Sequence, residues 1–198
     1  MAGNQYKSVV LIVTAVLALF AASPALQRVS LTQQSVHLTE LSILGSYNNA
    51  TYPVNVTSGQ SYQLHITVDN HLGSLAYYVI EVKFRNQTQS APDSFAKSDS
   101  NLPSLGDFTF CLADGQSLEL PVTVALNYDP DLYVANQLDM QNVKVNGFQL
   151  STGQTTIAYD TQRGGYYGNL FFELWLFNDT TNSFQYNQRY VSLWLNMT

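Results

Sequence analysis

The feature that most limits what this chain can become is a hydrophobic period of two. In SYQLHITVDN (61–70), Tyr62, Leu64, Ile66 and Val68 alternate with Gln63, His65, Thr67 and Asp69. Successive side chains of an extended backbone point to opposite faces, so this pattern predicts a strand dry on one side and wet on the other. AYYVIEVKFR (76–85) repeats it, with Tyr78, Ile80, Val82 and Phe84 inward and Glu81, Lys83 and Arg85 outward. SLELPVTVAL (117–126) repeats it again through Leu118, Leu120, Val122, Val124 and Leu126. Pro121 falls on its outward side, and a residue with no N–H to give predicts an edge there.

The remaining segments fit the same scheme. HLTELSILG (37–45) opens a strand, while SYNNATYP (46–53) and NHLGS (70–74) carry turn chemistry. VKVNGFQL (143–150) reads as a hairpin about Asn146-Gly147, a dipeptide suited to the two left-handed positions of a tight turn. NYDPDLYVANQLDMQN (127–142) reads as irregular, with room for one helical turn. Residues 86–107, rich in Ser, Asn, Asp and Pro, form a connection longer than a sheet usually needs. In the closing stretch, Leu170, Phe172, Leu174 and Leu176 share one face and Phe171, Glu173, Trp175 and Phe177 the other. Across a polar turn, Val191, Leu193 and Leu195 oppose Tyr190, Ser192, Trp194 and Asn196. Glu173 and Arg189 argue against a membrane helix here, and each apolar run is too short to be one. About eight strands with no helix past residue 26 predict an all-β domain, an immunoglobulin-like antiparallel β-sandwich.

Before that domain, residues 8–26 (SVVLIVTAVLALFAASPAL) run 19 positions without a charge. As a helix they would approach the roughly 30 Å of a bilayer's hydrocarbon. A cleaved secretory signal competes with a retained anchor. The length of the run, and the spoiling of an A-x-A exit by Pro24 and Leu26, favour the anchor. The expected organisation is a membrane anchor or signal segment over 1–28, a short stalk over 29–35 and an extracytoplasmic β-sandwich domain over 36–198. Acceptor triplets begin at Asn49, Asn55, Asn86, Asn178 and Asn196. The first four are glycosylation candidates, and together the triplets suggest a domain facing outside the cell membrane. Charged residues make up only 11% of the chain, so amides and hydroxyls must cover its surface, as suits a secreted or cell-surface protein.

Motifs for catalysis or metal binding are missing. Eight scattered basic residues against a formal charge of −6 give no nucleic-acid footprint. His37, His65 and His71 are the candidate bases, and the pattern reads them as surface histidines. Cys111, the single cysteine, excludes an intrachain disulfide and reads as a small buried hydrophobe. RGGYYG (163–168) lacks phosphate-loop spacing and a following lysine. Asp129, Asp131 and Asp139 could offer calcium oxygens, but Pro130 and the missing glycine pivot depart from the usual loop. Glu40 and Glu173 read as polar members of partly exposed strand faces. The expectation is no enzyme, cofactor or metal. Tyr166, Tyr167, Trp175, Phe177 and Trp194 are the candidate interaction face, because exposed rings offer large contact area at low entropic cost.

Four blocks carry a family likeness: HLTELSILG, YPVNVTSGQSYQLHITVDNHLG, AYYVIEVKFRNQTQSAPDSF and GGYYGNLFFELWLFNDTTNSFQYNQRYVSLWLNMT. Together they resemble the archaeal domain-of-unknown-function family 1616. VLALFAASPALQR is similar to the membrane-proximal segment of its members. The resemblance implies a membrane-anchored extracytoplasmic β domain and imports no activity. Members often carry several spans, whereas this chain has room for one. The functional expectation is a single-pass, glycosylated surface module, held by membrane lipid through its N-terminal helix and binding a surface protein or glycan. The alternative is a secreted subunit that self-associates by β-augmentation, with an extracellular hydrolase third.

Overall fold

A computed structural model describes residues 7, 10–14, 16, 37–47, 49–129, 136–150 and 155–198. The chain divides into two units, Met1–Val36 and His37–Thr198. The described residues of the first are helical, and the Thr14 hydroxyl donates to the Val10 carbonyl at 2.8 Å. Among the described residues no helix is long and apolar enough to cross a membrane. Most of the expected anchor, and the whole stalk at 29–35, lie outside the described residues.

The second unit is all β, with eleven strands: β1 (Leu38–Gly45), β2 (Asn55–Val56), β3 (Ser61–His71), β4 (Ala76–Arg85), β5 (Gly106–Leu112), β6 (Ser117–Tyr128), β7 (Gln137–Val145), β8 (Phe148–Leu150), β9 (Thr155–Asp160), β10 (Gly165–Asn178) and β11 (Ser183–Met197). They form one curled sheet in the order β1-β3-β6-β7-β9-β10-β11-β2, with β4 and β5 added beside β10, and β8 beside β7. The expected eight strands lacked β2, β5 and β9. Residues 137–142, expected to be irregular, open β7 as extended chain.

β9 makes the curl possible by changing partners midway. Thr155–Ala158 pair with β7, and Tyr159 and Asp160 then pair with Tyr166 and Gly165 of β10. The two wings therefore share one core, to which β3 gives Leu64, Ile66 and Val68, and β4 gives Tyr78, Ile80 and Val82. Val122 and Leu126 of β6 join Leu170, Phe172 and Leu174 of β10 in the same cluster. Each such fully buried apolar side chain contributes about 1.5–3 kcal/mol relative to exposure. All pairings are antiparallel except β11 with β2, which run parallel through Asn196–Asn55 and Met197–Val56. Tyr128, buried at the end of β6, ties that corner by donating toward the Val56 and Thr198 carbonyls.

The Asn146-Gly147 hairpin forms as predicted, with φ of 50° and 83° at the two turn residues. Pro121 pairs with His65 of β3, whereas β7 joins β6 only from Val124 onward. The proline therefore sits where β6 is still an edge, as its missing donor requires.

Candidate interaction face

The face of interest is the outer side of β4, β10 and β11. Register places its residues in cross-strand rows: Glu81 opposite Glu173 and Tyr190, then Lys83 opposite Phe171 and Ser192, then Arg85 opposite Asn169 and Trp194. Strand parity assigns all of these away from the core, yet Lys83, Phe171 and Glu173 are fully buried. Their cover is the connection 86–105, which folds back over the sheet as a flap. The Ser100 amide donates to Glu173 Oε1 at 2.9 Å, and Arg85 Nη1 donates to the Gln89 carbonyl at 2.8 Å. Asn86 Nδ2 and Gln87 Nε2 donate to the Thr156 and Ala158 carbonyls of β9. One expectation is corrected here: Lys83 and Glu173 are not solvent-facing members of their strands, because the long connection covers them.

Burying charge without a partner is costly, and the sheet meets that cost by pairing. Lys83 Nζ lies 2.6 Å from Glu173 Oε2 and 3.0 Å from Glu81 Oε2. Burial by itself would pull the Lys83 ammonium down; the hydrogen bonds and charges of the two glutamates outweigh it, and its pKa rises above the ordinary 10.5. Tyr186 lies under the same flap, opposite Trp175, with their rings 6.0 Å apart. Burial pushes the Tyr186 hydroxyl up to about 12, while the Ser94 side chain pulls the other way. Ser94 stands beside that hydroxyl without meeting hydrogen-bond geometry, and the oxygen is a buried polar atom with no partner.

Two patches of the face remain partly open. At one end the Tyr77, Phe177 and Phe184 rings form a cluster with centroids 5.1–6.0 Å apart. At the other, the Arg85 and Arg163 guanidiniums lie 4.8 and 5.6 Å from the Trp194 ring, and Arg163 lies 5.4 Å from Tyr167. Of the five expected interaction residues, Tyr167, Phe177 and Trp194 therefore share a partly exposed face. Trp175 lies on that side near the flap, its Nε1 buried and unpartnered. Tyr166 is a correction: it is buried, on the opposite face, with its ring edge-on to Tyr159 at 5.2 Å. The flap's own tip presents Phe95, 99% exposed, on a turn fixed by Asp93, whose carboxylate accepts from the Phe95 and Ala96 amides.

The other sequence candidates fall as follows. Cys111, expected to be buried, is exposed on β5, because Phe108, Phe110 and Leu112 take the inward parity. His65 Nδ1 lies 2.7 Å from Glu119 Oε1, His37 Nδ1 contacts the Leu72 carbonyl, and His71 is exposed. Glu40 is exposed on β1. Of the calcium candidates, Asp131 lies outside the described residues, and Asp139 accepts from the Thr156 hydroxyl. Among the described residues no group of three His, Cys, Asp or Glu could hold a metal ion. In RGGYYG, Gly165 and Gly168 serve packing, since a Cβ at Gly168 would run into the Phe84 ring and one at Gly165 into Asn196, while Gly164 takes the left-handed turn position at φ 71°. Asn49 and Asn55 are exposed; Asn196 Nδ2 is engaged by Asn55 Oδ1, and Asn178 Oδ1 caps the Thr180 and Thr181 amides.

No family model matches the chain, and no curated protein matches it. Among solved structures it is similar to the β-glucosidase from Listeria innocua in complex with glucose, at 12% identity and a TM-score of 0.38. The same enzyme in complex with isofagomine gives 12% and 0.37. Each match covers 80% of this chain, which spans 16% of the β-glucosidase chain.

Proposed function

We propose that this chain is a cell-surface interaction module without enzymatic activity: an immunoglobulin-like β-sandwich held outside the membrane by one N-terminal helix. It carries glycans and binds a surface protein or glycan through the outer face of β10 and β11. The observation that carries the reading is the pair of Arg85 and Arg163 around Trp194, beside Tyr167, left partly open where the flap ends. Aromatic and guanidinium groups that are half-buried and fixed in place are the usual anchors of binding surfaces. The uncharged run at 8–26, the acceptor triplets and the resemblance to archaeal domain-of-unknown-function family 1616 support an outward-facing anchored domain. The test is a C-terminal epitope on intact cells. The epitope should be reachable by antibody and sediment with membranes; staining only after lysis overturns the reading.

One observation favours a second reading, self-association by β-augmentation. Among the described residues β5 pairs only with β4, leaving its other edge free over seven residues. A concentration-dependent size of the full chain in detergent, abolished by Phe110→Pro, would move this reading ahead.

A further inference from the structure

The two wings of the curled sheet leave a seam unclosed. A short turn at 113–116 joins β5 to β6, yet β5 pairs with β4 and β6 with β3. Among the described residues β5 and β6 do not pair with each other. At the Gly106 end of β5 lies a cavity of about 370 Å3 that both wings line. Val82 and Phe108 come from one wing; Val145, Phe148 and Leu150 come from the other. Its single charged lining residue is Asp107, and Phe148 is 74% exposed. The strands beside this seam treat their free edges differently. Exposed edges invite pairing, and proteins blunt them with proline, lysine, bulges or shortness. β6 carries Pro121 on its free stretch, and β8 is three residues long. β5 runs for seven residues in unbroken register with β4, with neither proline nor lysine. Its inward row, Phe108 and Phe110, is only partly buried. The backbone edge and the dry side of β5 both lack a neighbour.

We propose that this neighbour is an extended segment of another protein, alternately apolar and basic or polar. It adds to β5 as a strand and sends an apolar side chain into the cavity. Cross-strand pairing selects its chemistry. Its inward residues stand beside Phe108 and Phe110, which favour apolar or aromatic partners. Its outward residue beside Asp107 is a cation. Asp107 lies directly opposite Glu81 of β4, an unfavourable like-charge pair, and Lys83 already serves Glu81 and Glu173. Among the described residues Asp107 has no cationic partner, only the Thr109 hydroxyl at 3.5 Å. A second copy's β5 brings no lysine or arginine, so pairing β5 with β5 leaves Asp107 uncompensated. The site lies across β4 from β10, apart from the outer face that the proposed function uses.

The test uses the full chain in a maltoside detergent and a library of labelled peptides seven residues long, the length of β5. Each alternates valine, isoleucine or phenylalanine with lysine or threonine, and binding is read by fluorescence polarisation. Lysine-bearing members should bind. Scrambling the alternation, or exchanging lysine for glutamate, should weaken binding at least about tenfold. N-methylation of one alternate set of peptide amides should abolish binding and of the other set should spare it, because successive amides of a strand point to opposite edges. Phe148→Ser should weaken binding at least about fivefold, and Asp107→Asn about threefold. The melting temperature should hold in both, since both side chains are exposed. Absence of binding by every alternating peptide overturns the proposal, as does binding indifferent to N-methylation of either set. Binding unaltered by both Phe148→Ser and Asp107→Asn overturns it too. Association of the full chain with itself that Phe148→Ser abolishes gives the seam to a second copy and likewise overturns it.

Discussion

Lys83 and Glu173 meet 2.6 Å apart on adjacent strands, ninety positions apart in sequence, both fully buried beneath the flap. Removing one partner strands the other charge in a dry place. Lys83→Met or Glu173→Leu alone should cost about 3–5 kcal/mol. For a domain of this size that lowers the melting temperature by on the order of 10 °C. The paired change Lys83→Met with Glu173→Leu should recover part of the loss, because two apolar groups need no partner, while the Ser100 amide still lacks its acceptor. Thermal unfolding of the four proteins checks this, and an additive double variant would contradict it.

The same cluster fixes how stability responds to alkali. Lys83 has a pKa raised above its ordinary 10.5 in the folded chain, so its contribution is fully present below that value and fades as pH climbs through the folded pKa. Tyr186 acts in the same sense. Its folded value of about 12 against an ordinary 10.0 means that the unfolded chain ionises first, and stability drains between those two values. Unfolding midpoints should therefore hold steady below pH 10 and fall above it. Tyr186→Phe should shed part of that slope, and Glu173→Leu a further part. Denaturant titrations across the alkaline range give the measurement.

The flap is pinned by a backbone donor, the Ser100 amide on Glu173 Oε1. Ser100→Pro deletes that donor, together with the Ser100 hydroxyl that accepts from the Leu102 amide at 3.3 Å. A hydrogen bond to a charged group contributes about 1.5–3 kcal/mol, so the flap should open locally while the core holds. Amide exchange should accelerate at 171–175, and tryptophan emission should shift red as Trp175 meets water. Unchanged protection there would show that other ties hold the lid.

Much of this was legible in the sequence, and the misses have physical causes. Alternation located the long strands because a half-buried strand must show it. Alternation also assigned Lys83 and Glu173 to solvent, since the pattern reports which side a residue takes and not what covers that side. The cover comes from 86–105, a segment with no periodicity of its own. Two signals pointed to it: the excessive length of that connection, and the apolar residues at both parities of β10, which mean a strand dry on both faces. β2 has two residues and β9 divides six between two neighbours, too few for a period to show. Cys111 was legible from Phe108, Phe110 and Leu112, but the burial habit of cysteine argued the other way.

The parity of β5 makes a chemical prediction. Cys111 lies exposed beside Tyr77 on the outer side, so its thiol meets reagent without any opening of the fold. Under native conditions a maleimide should label the full chain to one equivalent, at a rate near that of the unfolded protein. A buried thiol would wait for unfolding and slow labelling by orders of magnitude.

Glycan occupancy should follow the freedom of each asparagine's amide. At Asn86 the side chain is fully committed: Nδ2 donates to the Thr156 carbonyl, and Oδ1 accepts from Thr88 and Gln89. Attaching a sugar to Nδ2 would crowd that contact and detach the flap's root from β9. Asn49 carries no such tie from Nδ2 among the described residues, its Oδ1 accepting only from the Thr51 amide, and it stands exposed. Glycopeptide mass spectrometry of the chain from its own cells should show Asn49 modified more fully than Asn86. Asn86→Ala should cost about 1–3 kcal/mol, because several donors lose their acceptor at once, while Asn49→Ala should cost little. A heavily modified Asn86 in a stable protein would mean that the flap's root is held from elsewhere.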